Sequence, residues 1–357
     1  MQFFDLIRSA DGQKEIINVT ISENEWYAMY NTAKKQAIAG YLFTVLDHFS
    51  KNNHKPPLDL LYDWISCSEQ IRHRNMLLNH RCIELTKLFA ESGFESCILK
   101  GQGNALMYPD PLLRTPGDID IWVKGKKDKI LKFCQSRTEG CKLGHHHIHF
   151  PIWDDVEVEV HFTPSYTRVP RFSRRTRTYF DNFERIEIDG RGSFAEGTKI
   201  YIPSKDCNLV FQMSHMARHF FYGGIGLRQV IDYYYLLKSE GTWNKKNVVN
   251  TLRHLGLYKF AGAVMWVLAY TFKTEKEMLL VPADEKRGRL LLDEIMKGGD
   301  FGQQDSRLLA FLKKKSSTLS VIMRNIRLIH LFPEEAIWAP VMGVWYDLRN
   351  NKSDVME

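Results

Sequence analysis

Residues 112–125 read LLRTPGDIDIWVKG, an apolar run interrupted by two aspartates one residue apart, Asp118 and Asp120. Ile119, Ile121, Trp122 and Val123 give the run strand character, yet a buried strand gains nothing from unpaired carboxylates, whose desolvation is costly. Residues i and i+2 of a strand point to the same side, roughly 6.5–7 Å apart along it. The two carboxylates therefore share a face on which they can hold one cation or two neighbouring ones. Magnesium takes carboxylate oxygens and fills its remaining sites with water and phosphate oxygens. Two such ions about 3.5–4 Å apart suit an in-line displacement. A short acidic pair at a strand end can equally be a turn cap; placement inside an apolar run favours the metal reading.

A third carboxylate is available downstream. In DVEVEVHFT (155–163), Asp155, Glu157, Glu159 and His161 alternate with Val156, Val158, Val160 and Phe162, so the segment reads as a strand with one acidic and one apolar face. Glu159 is the first choice as third metal ligand and Glu157 the second, because the sequence does not set the register; His161 shares their face. The preceding HHHIHFPIW (145–153) reads as the partner strand of a hairpin turning at Asp154 and Asp155.

Upstream, FESCILKG (94–101) reads as a strand, QGNALMYPD (102–110) as a short helix, and KKDKILKFCQSR (126–137) as a helix after the acidic strand. Strand, helix, strand, helix is the order of an α/β unit. Lys100 and Gly101 stand at its first strand-to-helix turn, where free N–H groups favour an anion and glycine lets a phosphate come close. Arg114, just ahead of the acidic strand, offers a forked guanidinium for phosphate. A tight turn with a solvated lysine is the plainer reading of Lys100 and Gly101.

Apolar residues recur at three- and four-residue intervals over about 22–95 and again over most of 204–350, interrupted by KNNHKPPLDL (51–60). The expected organisation is an N-terminal helical region (1–92), an α/β core (93–203) and a C-terminal helical region (204–357). The fold class is α+β, with the α/β unit flanked by helices on both sides. The stretch 168–178 reads as basic and irregular, with a possible hairpin around DGRG (189–192).

Taken together, LKG with the following tyrosine (Tyr108), RxxGDIDIWV and VEVHF, in this order and spacing, resemble the nucleotidyltransferase superfamily of the DNA polymerase beta type. More narrowly they resemble a bacterial family of uncharacterised nucleotidyltransferases, over about residues 25–240. The resemblance implies a small mixed sheet in which Asp118, Asp120 and Glu159 bind two Mg2+ ions and the turn at Lys100 and Gly101 takes the phosphates of a nucleoside triphosphate, ATP among the candidates. Lys100-Gly101-Gln102-Gly103 stands where a G-S turn is usual, so the turn serine is absent. The family's helical segment corresponds to His215–Leu237, where Arg218, His219, Arg228 and Asp232 are candidates for lining the cleft. Asp232 is implied as a possible base for the acceptor, although Arg228 and Asp232 could instead form an ordinary i,i+4 ion pair.

Composition bounds these readings. The chain has 357 residues, 44% hydrophobic and 25% charged, with a formal charge of +7. That balance accommodates a polyanionic ligand but is too mild to argue for nucleic acid as partner. Six cysteines without C-x-x-C spacing argue against a zinc ribbon or disulfide framework and for a reducing cytoplasm. The N-terminus lacks a signal-peptide pattern, and the longest apolar stretch, 260–272, is too short for a membrane span.

Three other constellations each admit two readings. His145, His147 and His149 alternate on one strand face and invite a zinc reading, against that of a polar strand face beside the cleft. Arg168, Arg171, Arg174, Arg175 and Arg177, with Phe172 among them, suit phosphate or RNA, or plain solvation. Phe220, Phe221, Tyr222 and Tyr233–Tyr235 point in several directions along helices and read mainly as core. The expected function is transfer of a nucleoside monophosphate to an unidentified small-molecule or protein acceptor, the alternative being a catalytically silent nucleotide-binding or interaction protein of the same fold.

Overall fold

A computed structural model describes residues 2–12, 21–46, 55–189, 194, 198–303, 305 and 318–353. Helices α1 (Gln2–Ala10), α2 (Glu23–Lys35), α3 (Ala39–Phe43) and α4 (Leu58–Glu91) lead into the sheet. Then come β1 (Ser96–Ile98), α5 (Gly101–Ala105), β2 (Ile119–Val123), α6 (Lys127–Gln135), β3 (Lys142–Leu143), β4 (His147–His149) and β5 (Val158–His161). After α7 (Pro170–Asp181), strands β6 (Arg185–Asp189) and β7 (Lys199–Pro203) pair with each other. The chain continues through α8 (Lys205–Tyr222), α9 (Leu227–Lys238), α10 (Lys245–His254), α11 (Tyr258–Phe272), α12 (Glu285–Gly298), α13 (Thr318–Leu328) and α14 (Pro333–Ser353).

The five-stranded sheet runs β1-β2-β5-β4-β3, with β2 and β5 parallel and every other neighbour antiparallel. Because paired residues share a face, register sorts the side chains. Ile98, Ile121, Val123, Val158, Val160 and Ile148 fall on one face and join Leu78, Cys82, Leu85 and Phe89 of α4 in a core. Asp120, Glu159, His161, His147 and His149 fall on the other. The mixed α+β architecture is as expected.

Helix α4 has 34 residues, about 50 Å at 1.5 Å per residue. Its Leu60 and Trp64 lie in a second core, and the helix thus reaches from one core to the other. That second core draws on helices before residue 92 and after residue 204 alike, including Trp26, Leu42, Leu209, Phe220, Tyr233 and Phe272. Phe220, Phe221 and Tyr233–Tyr235 are buried there as expected, whereas Tyr222 is exposed.

Several expected elements shift. Asp118 lies one residue before β2 rather than within a strand, and β5 begins at Val158, leaving Asp155 and Glu157 in the approach to it. Both of these acids are exposed, and Asp155 pairs with Arg81 at 2.8 Å. The basic stretch is not irregular: α7 starts with Pro170 at its first turn and buries Phe172, Thr176 and Phe180, a four-residue spacing that the arginine density obscured. The β6–β7 hairpin is present, while residues 190–192 of its DGRG turn lie outside the described residues. Residues 260–272 fall in the 15-residue α11, and no described helix is long and apolar enough to cross a membrane. All six cysteines are free thiols.

Candidate active site

The segment entering β2 is fixed from α4, where the buried Asn75 amide donates to the carbonyls of Leu112 at 2.7 Å and Arg114 at 2.8 Å. This delivers Asp118 and Asp120 to the polar face of the sheet. Parallel pairing then sets Asp120 directly opposite Glu159. The register that the sequence left open selects Glu159 over Glu157.

Three cationic or imidazole groups close on these acids. Lys100 Nζ lies 2.8 Å from Asp120 Oδ1, and His161 Nε2 lies 2.8 Å from the same oxygen and 3.4 Å from Glu159 Oε2. His147 Nδ1 lies 3.2 Å from Glu159 Oε2. Burial works to raise the Asp120 pKa, but the Lys100 ammonium and the His161 hydrogen bond outweigh it and hold the carboxyl well below the usual range. Glu159 is also lowered: burial opposes, and the His161 hydrogen bond prevails. His161 is raised, because its bonds to Asp120 and Glu159 overcome the burial that disfavours its charge.

Asp118 is the exception. The charge of Asp120 and then burial push its carboxyl up to about 6, against a smaller pull from Lys100. The pair thus carries an uncompensated repulsion that a bound cation relieves.

These residues open onto a cleft of about 560 Å³ lined by Lys100, Gly101, Gly117, Asp118, Asp120 and His215, among others. Gly101 has φ +48°, and a Cβ there would meet Asp118 O at 3.5 Å, so its left-handed backbone rather than crowding calls for glycine. Glu159 is not among the lining residues and reaches the cleft's acids from the neighbouring strand.

The opposite wall is built around Asp232. Arg114 grips it with two bonds, Nε to Oδ1 at 2.8 Å and Nη2 to Oδ2 at 2.7 Å. Tyr108 donates at 2.7 Å and Asn104 at 3.1 Å. Arg114 therefore faces the cleft with its charge already matched, which corrects the expectation of a guanidinium free for phosphate. Burial raises the Asp232 pKa, Arg114 more than reverses this, and the result is a lowered carboxyl with both oxygens engaged, unsuited to act as a base. Nor is Arg228 its i,i+4 partner: Arg228 pairs with Asp300 at 2.8 Å and donates to the Thr115 carbonyl at 3.0 Å.

Arg218 donates to His215 Nδ1 at 3.2 Å and His219 Nε2 at 3.1 Å. Burial first, then neighbouring cations, keep both imidazoles neutral. The expected histidine triad is rearranged too. Ligating atoms of His146, His147 and His161 lie within 4.8 Å of one another, whereas His145 packs its ring on Tyr166 with centroids 4.7 Å apart. Of the arginine series, Arg171 pairs with Glu334 at 2.6 Å and Arg168 donates to the Ala339 carbonyl at 3.1 Å.

Sequence reasoning passed over His146, Gln212, His215, Asn104 and Phe301. Gln212, His215 and His219 carry a readable signal, the three- and four-residue spacing of one face of α8. Another cavity of about 550 Å³, lined by Phe172, Phe221 and Phe260, contains none of the clustered acids Asp118, Asp120 and Glu159. Asp118 and Asp120 line the first cleft instead.

A sequence family described as uncharacterised nucleotidyltransferase matches residues 22–273, a span holding Lys100, Asp118, Asp120, Glu159 and Asp232. The chain belongs to this uncharacterised nucleotidyltransferase family. Membership points to a transferase that uses a nucleoside triphosphate. The structure is also similar to an antigenic nucleotidyltransferase-like protein from Paracoccidioides brasiliensis, at 14% identity over 58% of this chain and 94% of that one, with a TM-score of 0.32. No curated protein sequence matches the chain.

Proposed function

We propose that the protein transfers a nucleoside monophosphate from a nucleoside triphosphate to an acceptor nucleophile on a small molecule or protein, releasing pyrophosphate. The observation that carries this reading is the in-register parallel pairing of Asp120 with Glu159, beside Asp118 and within reach of Lys100. The donor set fits magnesium: three carboxylates, with Asp118 and Asp120 repelling each other strongly enough to hold Asp118 up to about 6. Two bound magnesium ions would neutralise phosphate charge and lower the pKa of the acceptor hydroxyl.

The chain's own groups divide the remaining work. Asp118, Asp120 and Glu159 would hold the ions. Lys100 supplies charge for the triphosphate, and Gly101 gives the phosphates an approach without a side chain. His161 keeps a proton between Asp120 and Glu159 and so fixes the orientation of both. Arg114 and Asp232 keep the facing wall rigid, while Arg228 braces the segment before β2 through the Thr115 carbonyl.

Transfer of label from α-phosphate-labelled triphosphates into a cell-extract acceptor tests this reading. Asp118→Asn and Asp120→Asn should each lower transfer by about a thousandfold while the protein remains folded; undiminished magnesium-dependent transfer in either variant refutes the assignment. The lysine already paired with Asp120 and the absent turn serine favour a second reading, a silent nucleotide binder. Calorimetry with ATP, GTP, CTP and UTP separates the two: the enzyme requires metal-dependent affinity, and the silent protein does not.

A further inference from the structure

Beside the carboxylates lies a histidine cluster with ring nitrogens that nucleotidyl transfer does not use. His146 is 4% exposed, and neither of its ring nitrogens has a hydrogen-bond partner. His161 Nδ1 and His147 Nδ1 likewise make no hydrogen bond, the latter being near Glu159 without the geometry for one. The ring centroids stand 4.8 Å apart for His146–His147 and His146–His161, and 5.4 Å apart for His147–His161. Burying imidazole nitrogens without partners is costly, and three rings, from β4, the residue before it and β5, converge at one point.

We propose that His146, His147 and His161 bind one transition-metal dication of the zinc type. Nitrogen donors select such an ion over magnesium, which requires oxygen. His161 has the orientation this demands: Nε2 is held by Asp120 at 2.8 Å, leaving Nδ1 for the metal, as a carboxylate commonly orients a ligating histidine. Asp120 and Glu159 supply negative charge on one side, while the nearby cations Lys100 and Arg218 oppose the ion. A tetrahedral zinc ion accommodates three nitrogens and keeps its fourth position open. The ion would pin the start of β4 to β5 at His161. The site does not depend on nucleotidyl transfer.

Dialysis of the full-length protein against chelator, followed by titration with Co2+ under visible absorption and with Zn2+ under elemental analysis, tests the proposal. The wild type should bind one equivalent of each and show the d–d bands of nitrogen-bound cobalt, unaffected by excess Mg2+. His146→Ala and His147→Ala should each weaken binding by about a hundredfold, whereas Asp118→Asn should retain it. His147 is partly exposed, so His147→Ala decides the matter if His146→Ala does not fold. No uptake by the wild type, or unchanged affinity in folded His147→Ala, overturns the proposal. Cobalt binding without label transfer would sink only the nucleotidyl reading; magnesium-dependent transfer without cobalt binding would sink only this one.

Discussion

A buried acid and an acidic pair face each other across one cleft and have opposite fates. Asp232 is surrounded by donors, two from Arg114 and one each from Tyr108 and Asn104, so its charge is met on both oxygens. Asp120 is paired with Lys100 and His161, both on one oxygen, and Asp118 with neither. The first arrangement holds a wall in place; the second leaves negative charge unmatched. Burial and acidity alone do not distinguish a structural carboxylate from one available to a ligand. The count of donors around it does.

The contrast breaks most visibly at Asp232. Asp232→Asn keeps the shape but strands the Arg114 charge in a buried site, and losing one partner of such a pair costs about 3–5 kcal/mol. Denaturant unfolding should show a loss of that size. A variant as stable as the wild type would mean that the saturated cluster does not hold the wall.

Asp118→Asn should do the reverse. The folded pKa of Asp118 lies above its unfolded value, so its contribution to stability is fully present below about 4 and is lost as pH rises through about 6. Asparagine mimics the protonated carboxyl at every pH. Without metal, the variant should match the wild type near pH 4 and exceed it by about 3 kcal/mol at pH 8. Equal stability at both pH values would remove the repulsion from the account.

How much of this contrast could be read beforehand depends on how local each feature is. The α+β class, the strand-helix-strand order and the acidic face around Asp118, Asp120 and Glu159 followed from alternation and spacing within short windows. The choice of Glu159 over Glu157 did not, because register is set between strands that lie far apart in sequence. The pairing of Arg114 with Asp232 joins residues 118 positions apart, and no periodicity reports it. The histidine cluster was misread for a related reason. Alternation groups His145, His147 and His149, but β4 begins only at His147, so His146 escapes the rule and converges with His161 across the ladder. In α7, charge density masked a buried Phe172–Thr176–Phe180 stripe that the sequence did contain.

The smallest effect sharpens the comparison through pH. A dication entering between Asp118 and Asp120 must meet both as carboxylates, and Asp118 is largely protonated below about 6. Binding there must therefore release a proton in acid, and apparent Mg2+ affinity should fall by about tenfold for each pH unit below that point, or about 1.4 kcal/mol per unit. Above it, affinity should level off. In Asp118→Asn the proton is gone, so the titration should lose this slope even though binding is weaker. Asp232→Asn, measured under conditions where it remains folded, should keep the slope, because the acid on the saturated wall takes no part in it. A slope that persists in Asp118→Asn and vanishes in Asp232→Asn would exchange the roles assigned to the two walls.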